Sequence, residues 1–417
     1  MKLKCFVFLI LTGHAVLVFS QKSQRYDLNT LALHQIARMG GDYFKQANLT
    51  GKGIRIAVFD AGFPEVDTHP AFEHIRKNIV ATYDFTKKSE NVYRGNSHGT
   101  SVLSNIAGKM GDIPLGLAPD AEFLLAITEK SRAEPFWEEE TWRRAVDWAY
   151  ENGAQIISSS LGYAKHRYFP ENMDGQTSFV AKAAQIAAEK GILVINAIGN
   201  EGSDQTWIKL ITPADVETVL SVGGIDPKTQ IKSSFSSFGP SATGRLKPNV
   251  CANSTTVAAK TKGKFNSVNG TSFATPLIAG FAACVWQAHP DLKAQEIFEL
   301  IQQLGELYPY YDYAHGYGVP NAWHLDKTLP QPSKTFDFIE EDDAIKIEIS
   351  KDFSRQLGKS NNFRLYYHLQ KNNGLLSEYA VIEVFQKDVL TIPKEKLGDI
   401  KQISVHFSGY TSTYEIH

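Results

Sequence analysis

Between about residues 50 and 290, short apolar runs alternate with longer amphipathic stretches, which restricts the chain to few architectures. The short runs are apolar at nearly every position, as in strands buried on both faces. Such strands occur where helices cover both sides of a mostly parallel sheet. "GIRIAVFD" (53–60), "AEFLLAIT" (121–128), "AQIISSSLG" (154–162), "ILVINAIGN" (192–200) and "ETVLSVGGI" (217–225) read as these strands. Helices are expected over 98–108, over 137–153 with Gly153 closing it, over 178–191, from Ser272 to about Ala288, and over 292–305. After "TLPQPSK" (328–334) the texture changes. "AIKIEIS", "NFRLYYHLQ", "YAVIEVFQ" and "QISVHFSG" alternate with period two between Asn, Gly and Lys, the pattern of antiparallel strands. The fold class is therefore α/β, a mostly parallel sheet with helices on both faces, followed by a small C-terminal antiparallel β-module over 335–417. The apolar side of that module is too large to stay wet, so it should pack on the first unit.

The two ends of the chain differ from its body. "MKLKCFVFLILTGHAVLVFS" (1–20) has two lysines, an apolar run, and small residues at Val18 and Ser20 spaced for cleavage, as in an export signal. Gly13 and His14 interrupt the run, and it is shorter than the ~20 residues of a membrane span. Export with removal of 1–20 is expected, leaving an N-terminal extension over 21–48 and no membrane span. Cys251 and Cys284 then remain; Cys284 lies in the apolar "LIAGFAACVW", and both are expected free and buried. A net charge of −2 without a basic stripe gives no footprint for nucleic acid.

Three polar residues stand at the edges of elements: Asp60 ends a strand, His98 opens a helix, and Ser272 opens another within "SVNGTSFATPLIAG" (267–280). In open α/β sheets reactive groups collect at the carboxyl ends of strands and the helix starts that follow. A serine hydroxyl becomes a nucleophile when a base takes its proton. Histidine can do so near neutral pH, and a buried carboxylate fixes its tautomer. Asn200 in "NAIGNEG" adds an amide able to donate to a developing oxyanion. Singly, each residue has a plainer reading: a strand-end turn for Asp60, a satisfied structural imidazole for His98, a helix cap for Ser272.

Taken together, "AVFDAGF", "NSHGTSVLSNIAG", "SSSLGY", "NAIGNEG" and "NGTSFATP", in this order and at these spacings, strongly resemble the subtilisin-like (subtilase) serine proteases. The resemblance runs from about Leu49 to Asp326 and implies a peptidase domain over 49–328. It also implies Asp60 as orienting carboxylate, His98 as general base, Ser272 as nucleophile, and Asn200 with the Ser272 N–H as oxyanion donors. Ser160, Leu161 and Gly162 would form one wall of the substrate pocket and pair with substrate backbone, and Ala197 to Gly199 the other wall. The implied function is an exported, monomeric serine endopeptidase acting on protein or peptide substrates. Its chemistry needs no cofactor. The family often holds structural calcium through loop carbonyls, which spacing does not reveal.

The chain departs from the family pattern at three places. "KPNVCANS" (247–254) lacks the usual proline and glycine, and "EKSRAEPFWEEE" (129–140) lacks the glycines that open a second strand edge to substrate. The stretch of about thirty residues between Ser20 and Leu49 is too short for a chaperone-like prodomain. A catalytically silent binding or scaffold relative is the alternative, against which the joint presence of Asp60, His98, Asn200 and Ser272 weighs. An esterase would carry its serine in a GxSxG elbow ahead of the acid and histidine, and here the serine comes last. Among the sequons "NLT", "NST" and "NGT", the last adjoins Ser272, where a glycan would block the site.

Overall fold

The computed structural model describes residues 27–416 apart from 131–134, 166, 208, 327, 329–331, 355–362, 386 and 387. The expected export signal and the start of the extension lie outside these residues. The extension forms two helices, α1 (Leu28–Ala37) and α2 (Gly41–Gln46). Asp27 caps α1 by accepting the Thr30 N–H at 2.8 Å. Buried Gln35 ties α1 down, donating to the Leu115 carbonyl at 2.6 Å and accepting the Val257 N–H at 2.9 Å.

The chain continues through β1 (Arg55–Asp60), β2 (Ile79–Asp84), α3 (His98–Ala107), the two-residue strands β3 (Lys109–Met110) and β4 (Ile113–Pro114), and β5 (Glu122–Ile127). Then come α4 (Trp137–Glu151), β6 (Ile156–Ser159), α5 (Phe179–Glu189), β7 (Leu193–Ala197), β8 (Val219–Ile225) and β9 (Val250–Asn253). Seven of these strands form one sheet in the order β2-β5-β1-β6-β7-β8-β9, parallel throughout. Successive residues alternate between its faces. Ile56 and Val58 of β1 pack with Leu103 of α3, whereas Ala57 and Phe59 pack with Trp142 and Val146 of α4. This two-sided burial is what the uninterrupted apolar runs require.

From β9 the chain forms an antiparallel hairpin, β10 (Thr255–Lys260) and β11 (Lys264–Asn269), which leads directly into α6 (Thr271–Ala288), followed by α7 (Ala294–Gln303). Residues from Leu277 to Val285 of α6 are all buried, so this helix runs through the interior instead of along the surface. Cys251 and Cys284 are free and buried.

Two expected strand ends retreat, and one strand of the main sheet was not expected. The strand expected to reach Gly162 ends at Ser159, because its pairing with both β1 and β7 stops there. The strand expected to reach Asn200 ends at Ala197, because Gly199 takes a φ of 113°, outside the strand region, and turns the chain. "VCAN" within the atypical "KPNVCANS" is the edge strand β9 of the main sheet, a strand the sequence pattern did not mark.

The C-terminal region comprises β12 (Phe336–Glu340), β13 (Ala344–Ile349), β14 (Arg364–Lys371), β15 (Leu376–Glu383), β16 (Asp388–Pro393), β17 (Ile400–Phe407) and β18 (Tyr410–Glu415). They form antiparallel sheets ordered β12-β13-β16 and β15-β14-β17-β18 around a core that includes Phe336, Ile347, Leu365, Ile403 and Phe407. Four of the seven were legible as alternating runs; β18, "YTSTYE", carries too few apolar residues to register. The four-stranded sheet packs against the segment after α7. Tyr366 meets Leu307 and Tyr310, and the His368 Nδ1–H donates to the Tyr311 carbonyl at 2.6 Å. Burial holds His368 below the ordinary histidine pKa and pushes His406 down to about 4.

Candidate active site

Asp60 is the last residue of β1 and is fully buried. A buried carboxylate needs hydrogen-bond donors. It finds the Ala61 N–H at 2.8 Å, and His98 Nδ1 lies 2.9 Å from each of its two oxygens. Because a carboxylate accepts, Nδ1 carries the proton and Nε2 is left as the basic nitrogen of the neutral ring. Gly99 makes this approach possible. A Cβ there would fall 2.5 Å from the Gly62 carbonyl oxygen and 2.9 Å from Asp60 Cβ, so any larger residue would push α3 off the end of β1. Burial disfavours the charged form of His98. The adjacent Asp60 charge and hydrogen bond outweigh it, Glu129 adds to them, and Lys260 opposes, leaving the pKa raised above the ordinary 6.5.

Ser272 is the second residue of α6, and the N-cap position is Gly270. The capping reading of this serine therefore fails: its hydroxyl instead donates to the Ser160 carbonyl at 3.2 Å. The reverse bond is also made, from the Ser160 hydroxyl to the Ser272 carbonyl at 2.8 Å. That carbonyl is available because residue 276, four positions on, is Pro276, which has no N–H to complete the helical bond. One missing helix bond thus becomes a tether between the start of α6 and the end of β6.

The cap of α6 comes from Asn200. Its Oδ1 accepts the Thr271 N–H at 2.9 Å and the Thr271 hydroxyl at 3.2 Å. These two donors decide which end of the amide faces them, so the Nδ2 group turns the other way, 3.8 Å from where a Gly270 Cβ would stand. The Ser272 N–H is one of the first-turn donors that helical pairing leaves unused. Asn200, whose amide caps α6, and Ser272 in the first turn of that helix line the same cleft.

His98, Asn200 and Ser272 line one cleft of 710 Å³ together with Ser160, Leu161, Gly162, Ala197 and Gly199. Asp60 lies beneath His98, behind that surface. A second cavity of 470 Å³ shares His98, Asn200 and Ser272 and extends along β11. All nine residues singled out in the sequence are therefore brought to one place. Sequence reasoning missed Ile211, Glu129 and Glu201, which also line the cleft, and the parts played by Thr271 and Pro276. Pro276 could have been found: a proline four residues after a helix-opening serine leaves that serine's carbonyl unpaired. Among the described residues no three His, Cys, Asp or Glu side chains are grouped to hold a metal ion, and no helix is long and apolar enough to cross a membrane.

A model of the subtilase family matches residues 51–318. Serine protease AprX of Bacillus subtilis is 29% identical over 61% of this chain and 61% of its own length. Subtilisin Savinase of Lederbergia lenta is 30% identical over 63% of this chain and 87% of its own. Among solved structures, Sphericase superposes with a TM-score of 0.54 at 25% identity, covering 66% of this chain and 92% of that one. The chain therefore spans about three fifths of the length of AprX, 61%.

The tether between β6 and α6 has a direct test. Ser160→Ala removes the donor to the Ser272 carbonyl and should lower stability by about 1 kcal/mol, seen as a lower urea midpoint at unchanged slope. An unchanged midpoint would mean the tether contributes nothing to the fold.

Proposed function

Because the chain belongs to the subtilase family, we propose that it is an exported serine endopeptidase acting through an acyl-enzyme. The peptidase unit is 49–328, the β-module 335–417, and the active form is a monomer freed of residues 1–20. The observation that carries this reading is the buried Asp60 bonded at 2.9 Å to His98 across the cleft from a serine at the start of a buried helix. Aspartate, imidazole and hydroxyl have no shared structural task in this arrangement.

Chemistry begins when the Ser272 hydroxyl turns from the Ser160 carbonyl to His98. Nε2 takes the proton as Oγ attacks the substrate carbonyl carbon, and the carbonyl electron pair moves onto oxygen. Asn200 Nδ2 and the Ser272 N–H donate to that oxyanion, which carries more charge in the transition state than in the ground state. Asp60 stabilises the imidazolium. His98 then gives its proton to the leaving amine nitrogen and the C–N bond breaks, leaving an ester on Ser272. Water, deprotonated by His98, attacks that ester; the carboxyl product leaves and Ser272 regains its proton. Residues 160–162, beyond the last ladder bond of β6, offer backbone to an extended peptide, and Ala197 to Gly199 face them across the pocket.

Casein hydrolysis by the mature chain tests the reading. Ser272→Ala should lower it by several orders of magnitude with the fold intact, because such residues act as a unit. Equal turnover in a folded Ser272→Ala chain would overturn the mechanism, and a wild-type chain without activity would favour the silent relative.

The pH profile follows from the charges around His98. The base must be neutral, so kcat/KM falls as pH drops through the His98 pKa, which lies above 6.5. Glu129 favours the imidazolium. Glu129→Gln should therefore move the acidic limb to lower pH, measured on a peptide substrate at constant ionic strength. A limb that stays fixed or moves up would contradict this account of the electrostatics.

A further inference from the structure

Between the two walls of the pocket lies the side chain of Ile211, which lines the cleft together with Glu201. A Cβ built on Gly162 would fall 2.6 Å from Ile211 Cγ1 and closer still to its Cδ1, so Ile211 lies in van der Waals contact with the Gly162 backbone. On the opposite wall, a Cβ on Gly199 would meet the Glu201 carboxylate first and would fall 3.2 Å from the same Ile211 Cγ1. Ile211 therefore spans the gap between the walls, where a substrate side chain pointing inward would have to pass. It is 9% exposed, and that exposed edge faces the cleft.

This plug is held in place. The Ile211 N–H donates to the Ile198 carbonyl at 3.1 Å, tying it to the second wall. The next residue, Thr212, exchanges two backbone bonds with Tyr163, 2.9 Å and 3.2 Å, tying it to the first. The Ile211 carbonyl accepts the Ala214 N–H at 3.0 Å. A β-branched side chain on a fixed backbone has few rotamers in which to swing aside.

We infer that Ile211 sets the substrate class of this site, restricting the residue on the acyl side of the cleaved bond (P1) to small side chains such as alanine, serine or glycine. The inference rests on the peptidase reading of the cleft. A P1 leucine or phenylalanine must displace Ile211 or stay outside the pocket, forfeiting burial, whereas a P1 methyl group fits above it. Pockets of this kind discriminate by roughly 10–200-fold per methylene-sized difference.

The test uses peptide 4-nitroanilides that differ only at P1, cleaved by the mature full chain. Wild type should prefer alanine to phenylalanine by at least about tenfold in kcat/KM, and Ile211→Ala should raise the phenylalanine-to-alanine ratio by at least about tenfold. Equal cleavage of both by wild type, or an unchanged ratio in the variant, overturns the proposal. A second measurement separates the pocket from the chemistry: calorimetric binding of the product peptides ending in alanine or phenylalanine to Ser272→Ala, with and without Ile211→Ala. If no peptide is cleaved but alanine binds tighter and Ile211→Ala favours phenylalanine, the pocket assignment stands and the peptidase reading falls. If that binding order is absent, the pocket assignment falls.

Discussion

The site depends on where α6 begins. A helix buried on nearly all sides cannot slide or tilt without opening the core, so its first turn is as rigid as the core itself. That first turn is joined to the sheet by the exchange of hydrogen bonds between Ser160 and Ser272, 2.8 Å and 3.2 Å. It is joined to the β7 loop by the Asn200 amide on Thr271, 2.9 Å. Proline at 276 makes the first connection possible by leaving a carbonyl without its helical partner. A local defect in helix bonding thus fixes the position of Ser272 relative to both walls of the cleft.

Electrostatics follows from the same placement. Asp60 is fully buried at the carboxyl end of a strand, where an ionised carboxylate is costly unless donors surround it. The imidazole of His98 supplies the main one, and the interaction works in both directions: the carboxylate is satisfied, and the ring is held in the tautomer that leaves Nε2 basic. In the proposed mechanism, charge developing on the substrate oxygen would meet a helix N-terminus and the Asn200 amide, whose orientation is already fixed, so little reorganisation would remain for the moment of reaction.

Most of this was legible in the sequence, for physical reasons that vary by element. Strands β1, β5, β6, β7 and β8 are buried on both faces and so appear as unbroken apolar runs. The starts of α3 and α6 were marked by the polar residues that open them. Strand β9 was missed because its four residues sit inside a stretch rich in Lys, Pro, Asn and Ser, and β10 and β11 because Thr, Asn, Lys and Ser dilute their apolar signal. Within the cleft, Asp60, His98, Asn200 and Ser272 stood out because the motifs around them, in this order and at these spacings, resemble those of the subtilases; singly, each has a plainer reading. Ile211 did not stand out. An isoleucine in a loop is ordinary until Gly162 and Gly199 are seen on either side of it, and those contacts span 49 and 12 positions of sequence.

The central claim is that Asp60 and His98 activate Ser272. A fluorophosphonate reacts with an activated serine without needing a matched peptide, so labelling the mature chain and mapping the adduct by mass spectrometry isolates that claim. The account predicts a single adduct on Ser272, formed at least ~10²-fold more slowly in His98→Ala, the contribution expected of a general base. No adduct on the folded chain, an adduct on another residue, or undiminished labelling of Ser272 in His98→Ala would contradict it.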